Sequence, residues 1–435
     1  MKTGSLMRIL HVSALPVWSM DGKGGMPSLQ ETLKGHLAAG HHLELVLPQY
    51  DPFSDDVKPL FVPEGQQLRL HFATCRWLPF FKKLRCQARR LGKNGRLPYG
   101  LRWVLNMFML LALNFSLFFK GLEVCRRGFA PQLIYAHNQY AALPGFLLGR
   151  WFKVPNVTRL YGTFLADLMS TPFVSLRYPT AAAGYLVPST LLICANDGTR
   201  GDEVARKFGT AKERFRFWQN GVEPPSEPPV LSRSDLLARF GGLQMTSKWA
   251  VSCSRLASWK RIDRMLQALA VCLREGAECQ LVIAGDGPQK DNLQGLAKTL
   301  NIEKSVIWVG AVAHDDIWAL MNTADVFMIT NDVTNRCNPL YEAAWAGLPV
   351  LSVNDPSTSD LLHHRENALL AEKDDTEALG KLLAEICRDD QLRERLGYAQ
   401  KKLSETFWTW EERMRVEVMD LEKIVTQTMS FKGQG

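Results

Sequence analysis

Residues 248–288 read KWAVSCSRLASWKRIDRMLQALAVCLREGAECQLVIAGDGP. The apolar run 249–254 is predicted as a strand, Ile262–Arg274 as a helix, and residues 280–284 as a strand ending in the turn Gly285-Asp286-Gly287-Pro288. A strand, a helix and a strand in so short a stretch make a βαβ unit, which requires a parallel sheet and a right-handed crossover. Downstream the alternation continues with helices at 291–299, 315–322 and 340–346 and strands at 306–309, 326–329 and 349–353. Upstream, strands are predicted at 8–14, 43–48, 132–136, 156–161 and 191–195, with a helix at 27–39. The proline-rich run 223–229 separates the two patterns and cannot continue a helix.

The fold class expected is therefore α/β, two Rossmann-like doubly wound domains facing a central cleft. The boundaries are residues 1–225, residues 226–404, and a C-terminal helical tail, 405–435, free to pack on either domain. A chain of 435 residues, 46% hydrophobic and 22% charged, supports two ordinary cores and is neither disordered nor fibrous. Nine cysteines lie scattered without a CxxC pair, against both a disulfide framework and a zinc site. The N-terminus shows no signal-peptide pattern, so a cytoplasmic location is expected.

Chemistry concentrates after the strand at 249–254. Arg255 and Lys260, five residues apart across a strand-to-helix turn, can bring a guanidinium and an ammonium to one phosphate-sized anion; a pair of solvated surface cations is the bland alternative. Gly285 belongs to a tight turn after the next strand. Asn338, Pro339 and Leu340 open a helix in whose first turn Glu342 is expected, either accepting hydroxyl hydrogen bonds from a ribose or merely complementing the helix dipole.

The order of these pieces resembles family 4 glycosyltransferases. The motifs are Arg255-x4-Lys260, 283–288, Val309-Gly310, 324–327 and Glu342-Ala343-x3-Gly347-x-Pro349-Val350. Upstream, Gly24-Gly25, the run 40–45, Tyr135-Ala136-His137 and 219–223 are similar to the family's N-terminal motifs, and 407–411 to its C-terminal crossover helix. The resemblance spans nearly the whole chain except residues 51–128. It implies a GT-B fold, an acceptor in residues 1–225, a sugar nucleotide in residues 226–404, and a retaining transfer with neither metal nor cofactor. The co-substrate would be a UDP- or GDP-sugar. Arg255 and Lys260 would hold the diphosphate, Glu342 the ribose, and Gly24 and Gly25 would let backbone approach phosphate, while His137 would stand at the reacting centre. The family's two glutamates lie eight apart, and eight before Glu342 stands Thr334. Either Asp332 takes that place, or Asn335, Arg336 and Asn338 contact the donor sugar differently. Two rivals on the same fold are a non-catalytic sugar-nucleotide-binding subunit and a sugar-nucleotide epimerase.

Net charge is +8, yet residues 65–122 contain eleven Lys or Arg and no acid, leaving the rest of the chain at −3. In the segment 76–120 this basic run carries Trp77, Phe80 and Phe81 and leads into the apolar run 103–119. Seventeen residues reach only the lower limit of the ~17–25 that span a bilayer, and a span would split the first domain. Two readings stand: a buried helix with a solvated basic loop, or a patch on an anionic membrane surface beside a lipid-linked or glycan acceptor. The second places the protein at the inner face of the membrane. Nucleic acid, the other polyanion, is not expected, because no nucleic-acid module accompanies the run.

Overall fold

The computed structural model describes residues 6–15, 27–48, 68–74, 99–222 and 231–432. Gly24, Gly25, most of the basic run and the proline-rich linker lie outside the described residues. The chain divides into two compact units, one of residues 1–196, 200–220 and 410–435, the other of residues 197–199 and 221–409.

The first unit holds a seven-stranded sheet: β1 (Arg8–Ser13), β2 (His42–Pro48), β3 (Leu68–Ala73), β4 (Leu133–His137), β5 (Asn156–Leu160), β6 (Leu191–Ala195) and β7 (Phe215–Trp218). Their order is β3-β2-β1-β4-β5-β6-β7, every pairing parallel. Strands β4, β5 and β6 are buried throughout because helices cover both faces. Alternate residues feed two cores. Ile9, Leu133 and Val157 meet Leu29, Leu33, Leu421 and Val425 of the helices Pro27–Ala38 and Trp410–Lys432. Leu10, Ile134 and Ala136 meet Leu113, Leu117 and Leu148 of the helices Tyr99–Arg126 and Ala142–Phe152. The C-terminal helix thus packs in the first unit, so closely that a Cβ on Gly35 would lie 2.4 Å from Met414 Cγ.

The second unit holds six parallel strands: β8 (Lys248–Cys253), β9 (Cys279–Ala284), β10 (Val306–Gly310), β11 (Val326–Ile329), β12 (Val350–Val353) and β13 (Ala368–Ala371), in the order β10-β9-β8-β11-β12-β13. Helix Ile262–Arg274 turns Ile262, Met265, Leu266 and Leu269 into one core; helix Asn338–Trp345 turns Leu340, Tyr341 and Ala344 into the other. The order of strand addition reverses between β1 and β4 in the first sheet and between β8 and β11 in the second, while every strand runs the same way. Such switch points open a crevice at the carboxyl ends of the strands, where ligands bind.

Candidate functional site

In the second unit the loops after β8 and β11 border that crevice. The first is fixed from below by the glycine turn after β9. Leu256 N–H donates to Asp286 O at 2.9 Å and Gln289 N–H to Leu256 O at 3.0 Å. A Cβ on Gly285, whose φ is +145°, would lie 1.9 Å from Ser254 O. Gly285 therefore serves the Arg255 loop by giving it room, and its expected part in donor binding is indirect. Arg255 is exposed and, among the described residues, has no ion-pair partner. Lys260 ends a 3-10 turn, Ser258–Lys260, with its ammonium 4.2 Å above the Trp259 ring. Burial lowers its pKa, with the Cys337 thiol as its titratable neighbour. Cys337 caps helix Asn338–Trp345, so the amine lies toward a helix N-terminus, a place that favours anions.

The loop after β11 departs from expectation. Asn335 is fully enclosed; its amide donates to Asp355 at 2.8 Å and its carbonyl oxygen accepts from Asn331 N at 2.8 Å. Arg336, also buried, donates from Nε to Ser357 O at 3.0 Å and pairs with Asp360. Neither side chain is available to a donor sugar; both hold the loop shut. The Thr334 hydroxyl donates to Asp197 O at 2.6 Å. Asp332, expected to stand in for a glutamate, instead accepts from Arg264 at 2.6 Å and Arg261 at 3.2 Å, and its carboxylate holds these two guanidinium groups. Helix Asn338–Trp345 starts early enough that Glu342 falls beyond its first turn, a correction to the expected dipole position. Glu342 is nearly buried and takes a hydrogen bond of 3.0 Å from His314 Nε2, which raises the His314 pKa. His314 opens the helix after β10 and was not read as a site residue; its position just past Val309-Gly310 was the available signal. Leu340 points into the core, Asn338 is exposed, and Pro339 is half-buried.

In the first unit, β4 ends with His137 at the switch point, but its imidazole is 0% exposed and both nitrogens are taken. Nε2 lies 2.8 Å from His11 Nδ1, and Nδ1 lies 2.7 Å from the Tyr161 hydroxyl. His11 Nε2 lies 3.3 Å from His36 Nδ1, and His36 Nε2 is 3.4 Å from Glu417 Oε1, a long contact. With a carboxylate at one end, one set of tautomers satisfies the row: each histidine carries its proton on Nε2 and Tyr161 donates to His137. Burial, then the Arg159 charge, holds the His137 pKa well below the ordinary value; burial, then His137, does the same to His11. His137, expected at the reacting centre, has both ring nitrogens engaged within the protein and no exposed surface. It anchors a buried row of side chains beneath the crevice floor. Among the described residues one cluster has metal-ligand character, Cys272, Cys279 and Cys387, whose sulfurs lie within 4.8 Å of one another; it is packed in the second unit's apolar core.

Comparisons with known proteins agree with this architecture. Residues 235–403 match the family model described as "Glycosyl transferases group 1". The alpha-monoglucosyldiacylglycerol synthase of Streptococcus pneumoniae is 26% identical over 254 residues, 56% of this chain and 56% of that protein. The GDP-mannose-dependent alpha-(1-6)-phosphatidylinositol monomannoside mannosyltransferase of Mycobacterium tuberculosis is 25% identical over 257 residues, 57% of this chain and 58% of that one. The chain thus spans little more than half the length of these two relatives. The crystal structure of HepE from Anabaena with UDP superposes with a TM-score of 0.62 at 17% identity, covering 95% of this chain and 100% of HepE. HepE with UDP-glucose gives the same TM-score at 18% identity, covering 98% and 99%. Residues 235–403 are thus similar to the group 1 glycosyltransferases, and the chain as a whole shares the GT-B fold of these solved structures.

Proposed function

We propose that the chain is a retaining, metal-independent glycosyltransferase. It moves a hexose from a UDP- or GDP-sugar to a membrane-associated, lipid-linked acceptor in polysaccharide, lipopolysaccharide or glycolipid synthesis, at the cytoplasmic face of the membrane. One observation carries this reading. The loop after β8 presents an exposed guanidinium, Arg255, unpaired among the described residues, and a partly desolvated amine, Lys260, at a switch-point crevice beside a helix N-terminus. Desolvation strengthens a cation's hold on an anion, and a departing nucleoside diphosphate gains charge as the glycosidic bond breaks. Two fixed cations stabilise that charge where it develops. Glu342 holds the ribose, with His314 orienting its carboxylate. The names of the two relatives, a glycolipid synthase and a phosphatidylinositol mannoside transferase, support a lipid acceptor, and HepE's complexes support a sugar nucleotide as donor.

The internal engagement of Asp332, Asn335 and Arg336 favours a second reading, a subunit that binds sugar nucleotide without reacting. Incubation with UDP-glucose or GDP-mannose in the absence of acceptor separates them. A transferase releases free sugar slowly, and Lys260→Ala lowers that rate ~100-fold or more. A binding subunit releases none, and an epimerase yields a second sugar nucleotide. Release that Lys260→Ala leaves unchanged removes the proposal.

A further inference from the structure

Helix Tyr99–Arg126 is apolar along most of its length. Within Trp103–Arg126 the most apolar 18-residue window has a mean hydropathy of 1.6, yet only 39% of it is buried. One side, through Leu105, Met109, Leu113 and Leu117, packs into the first unit's core. Leu101, Val104, Phe108, Leu111, Phe115 and Phe119 are each 40% to 61% exposed. At ~100° per residue these six fall within an arc of about 80°, a single stripe running the length of the helix. No Lys, Arg, Asp or Glu occurs between Arg102 and Lys120. An all-apolar helix normally has both sides covered, by protein or by lipid. Here protein covers one.

The stripe does not end with the helix. At its start, Trp103 Nε1–H donates to Leu176 O at 3.0 Å, bringing alongside a turn whose Phe173 and Leu176 are 79% and 64% exposed. Near its end, Phe118 meets Trp151 edge-on at 6.4 Å between ring centroids, and Trp151 is itself largely exposed. Two neighbouring elements thus add exposed apolar side chains beside the helix. The helix side chains alone present on the order of 500 Å², at the upper end of what a free protein surface carries. The chain entering this helix bears nine Lys or Arg between residues 76 and 102 and no acid.

We infer that this face, formed by the outer side of helix Tyr99–Arg126 with Phe173, Leu176 and Trp151, lies flat in the interface of an anionic bilayer. Charge complementarity selects the occupant: an apolar strip preceded in sequence by a purely cationic run matches acyl chains beneath anionic headgroups, whereas a second copy of this chain would add only like charge. The helix does not cross the bilayer, because its inner side is committed to strands β1, β2 and β3 and to helix Ala142–Phe152. The sequence pointed to aromatics within the basic run; the structure adds a stripe on the helix and partners 33 and 73 residues beyond their contacts, Trp151 and Leu176. The inference rests on the membrane-associated-acceptor reading above, but it is tested without donor or acceptor.

The test is co-sedimentation of the full chain with vesicles of phosphatidylcholine alone or of phosphatidylcholine with phosphatidylglycerol. The wild type is expected to bind the anionic vesicles, less so at high salt. The combined variant Phe108→Ser, Phe115→Ser, Phe119→Ser is expected to lose at least ~10-fold in bound fraction, with melting temperature and acceptor-free sugar release unchanged. The milder Phe115→Leu variant, expected to keep binding, guards against a fold defect in the triple variant. Failure of the wild type to bind, or equal binding by the triple variant, overturns the inference. So does a wild-type dimer that the triple variant converts to monomer, which would make a second copy the occupant. Intact sugar release without vesicle binding sinks this inference alone; vesicle binding without sugar release sinks only the transferase.

Discussion

Glu417 shows how much of the first unit depends on one carboxylate. It accepts from the Tyr135 hydroxyl at 2.6 Å and from Arg159 at 3.1 Å, and pairs with Arg413 at 2.8 Å. Burial alone would raise its pKa, but the Arg159 and Arg413 charges reverse that and hold it well below the ordinary value. Burial lowers the Arg413 pKa, whereas the Glu417 charge raises that of Arg159 against its burial. Replacing Glu417 by Gln leaves buried guanidinium groups uncompensated, at a cost of about 3–5 kcal/mol. The melting temperature of the first unit should fall by roughly 10 °C in calorimetry. Sign follows from the depressed value: the stabilisation is present above the unfolded pKa of ~4.3 and lost as pH falls through the folded one. Glu417→Gln should accordingly flatten the acid side of the stability profile. An unchanged melting temperature would show that the network contributes little. Nothing at residue level in the sequence announced this. His137 was legible as a strand-end histidine, but His11, His36 and Glu417 join it only through tertiary packing, from 126, 101 and 280 positions away. Asp332 and Asn335 misled for a related reason, since their spacing from Glu342 is visible while the partners that occupy them are not.

Among elements, the interior strands were legible because a parallel strand covered on both faces is a nearly continuous apolar run. Those the sequence did not declare, β3, β7 and β13, are all sheet edges. Strand β7 has no fully buried residue, and β3 only Ala73. Exposure dilutes the patterns of β3 and β7, whereas β13 is largely buried but only four residues long. The apolar run 103–119 was legible as a helix, but its division into a covered and an uncovered side needed the sheet beneath it. Local geometry also gives the glycine turn its importance. A methyl group at Gly285 would have to displace Ser254 O and occupy a backbone conformation open chiefly to glycine. Gly285→Ala should destabilise the second unit by about 2 kcal/mol and, because the displaced carbonyl precedes Arg255, weaken UDP binding ~10-fold. Stability lost with UDP binding intact would show that Arg255 does not touch the nucleotide.

For the whole molecule, the restart of the strand–helix rhythm near residue 248 was enough to show two doubly wound sheets, because each needs its own switch point and its own pair of cores. Assignment of the last helix was not readable, since an amphipathic helix at a chain end suits either unit by pattern. The functional account rests on the second unit's crevice and on the two cations there. Titration calorimetry of UDP into wild type, Arg255→Ala and Lys260→Ala tests it most directly. The account predicts binding by the wild type and a loss of ~100-fold for either variant, about 2.8 kcal/mol. Variants that bind UDP as tightly as the wild type would contradict it.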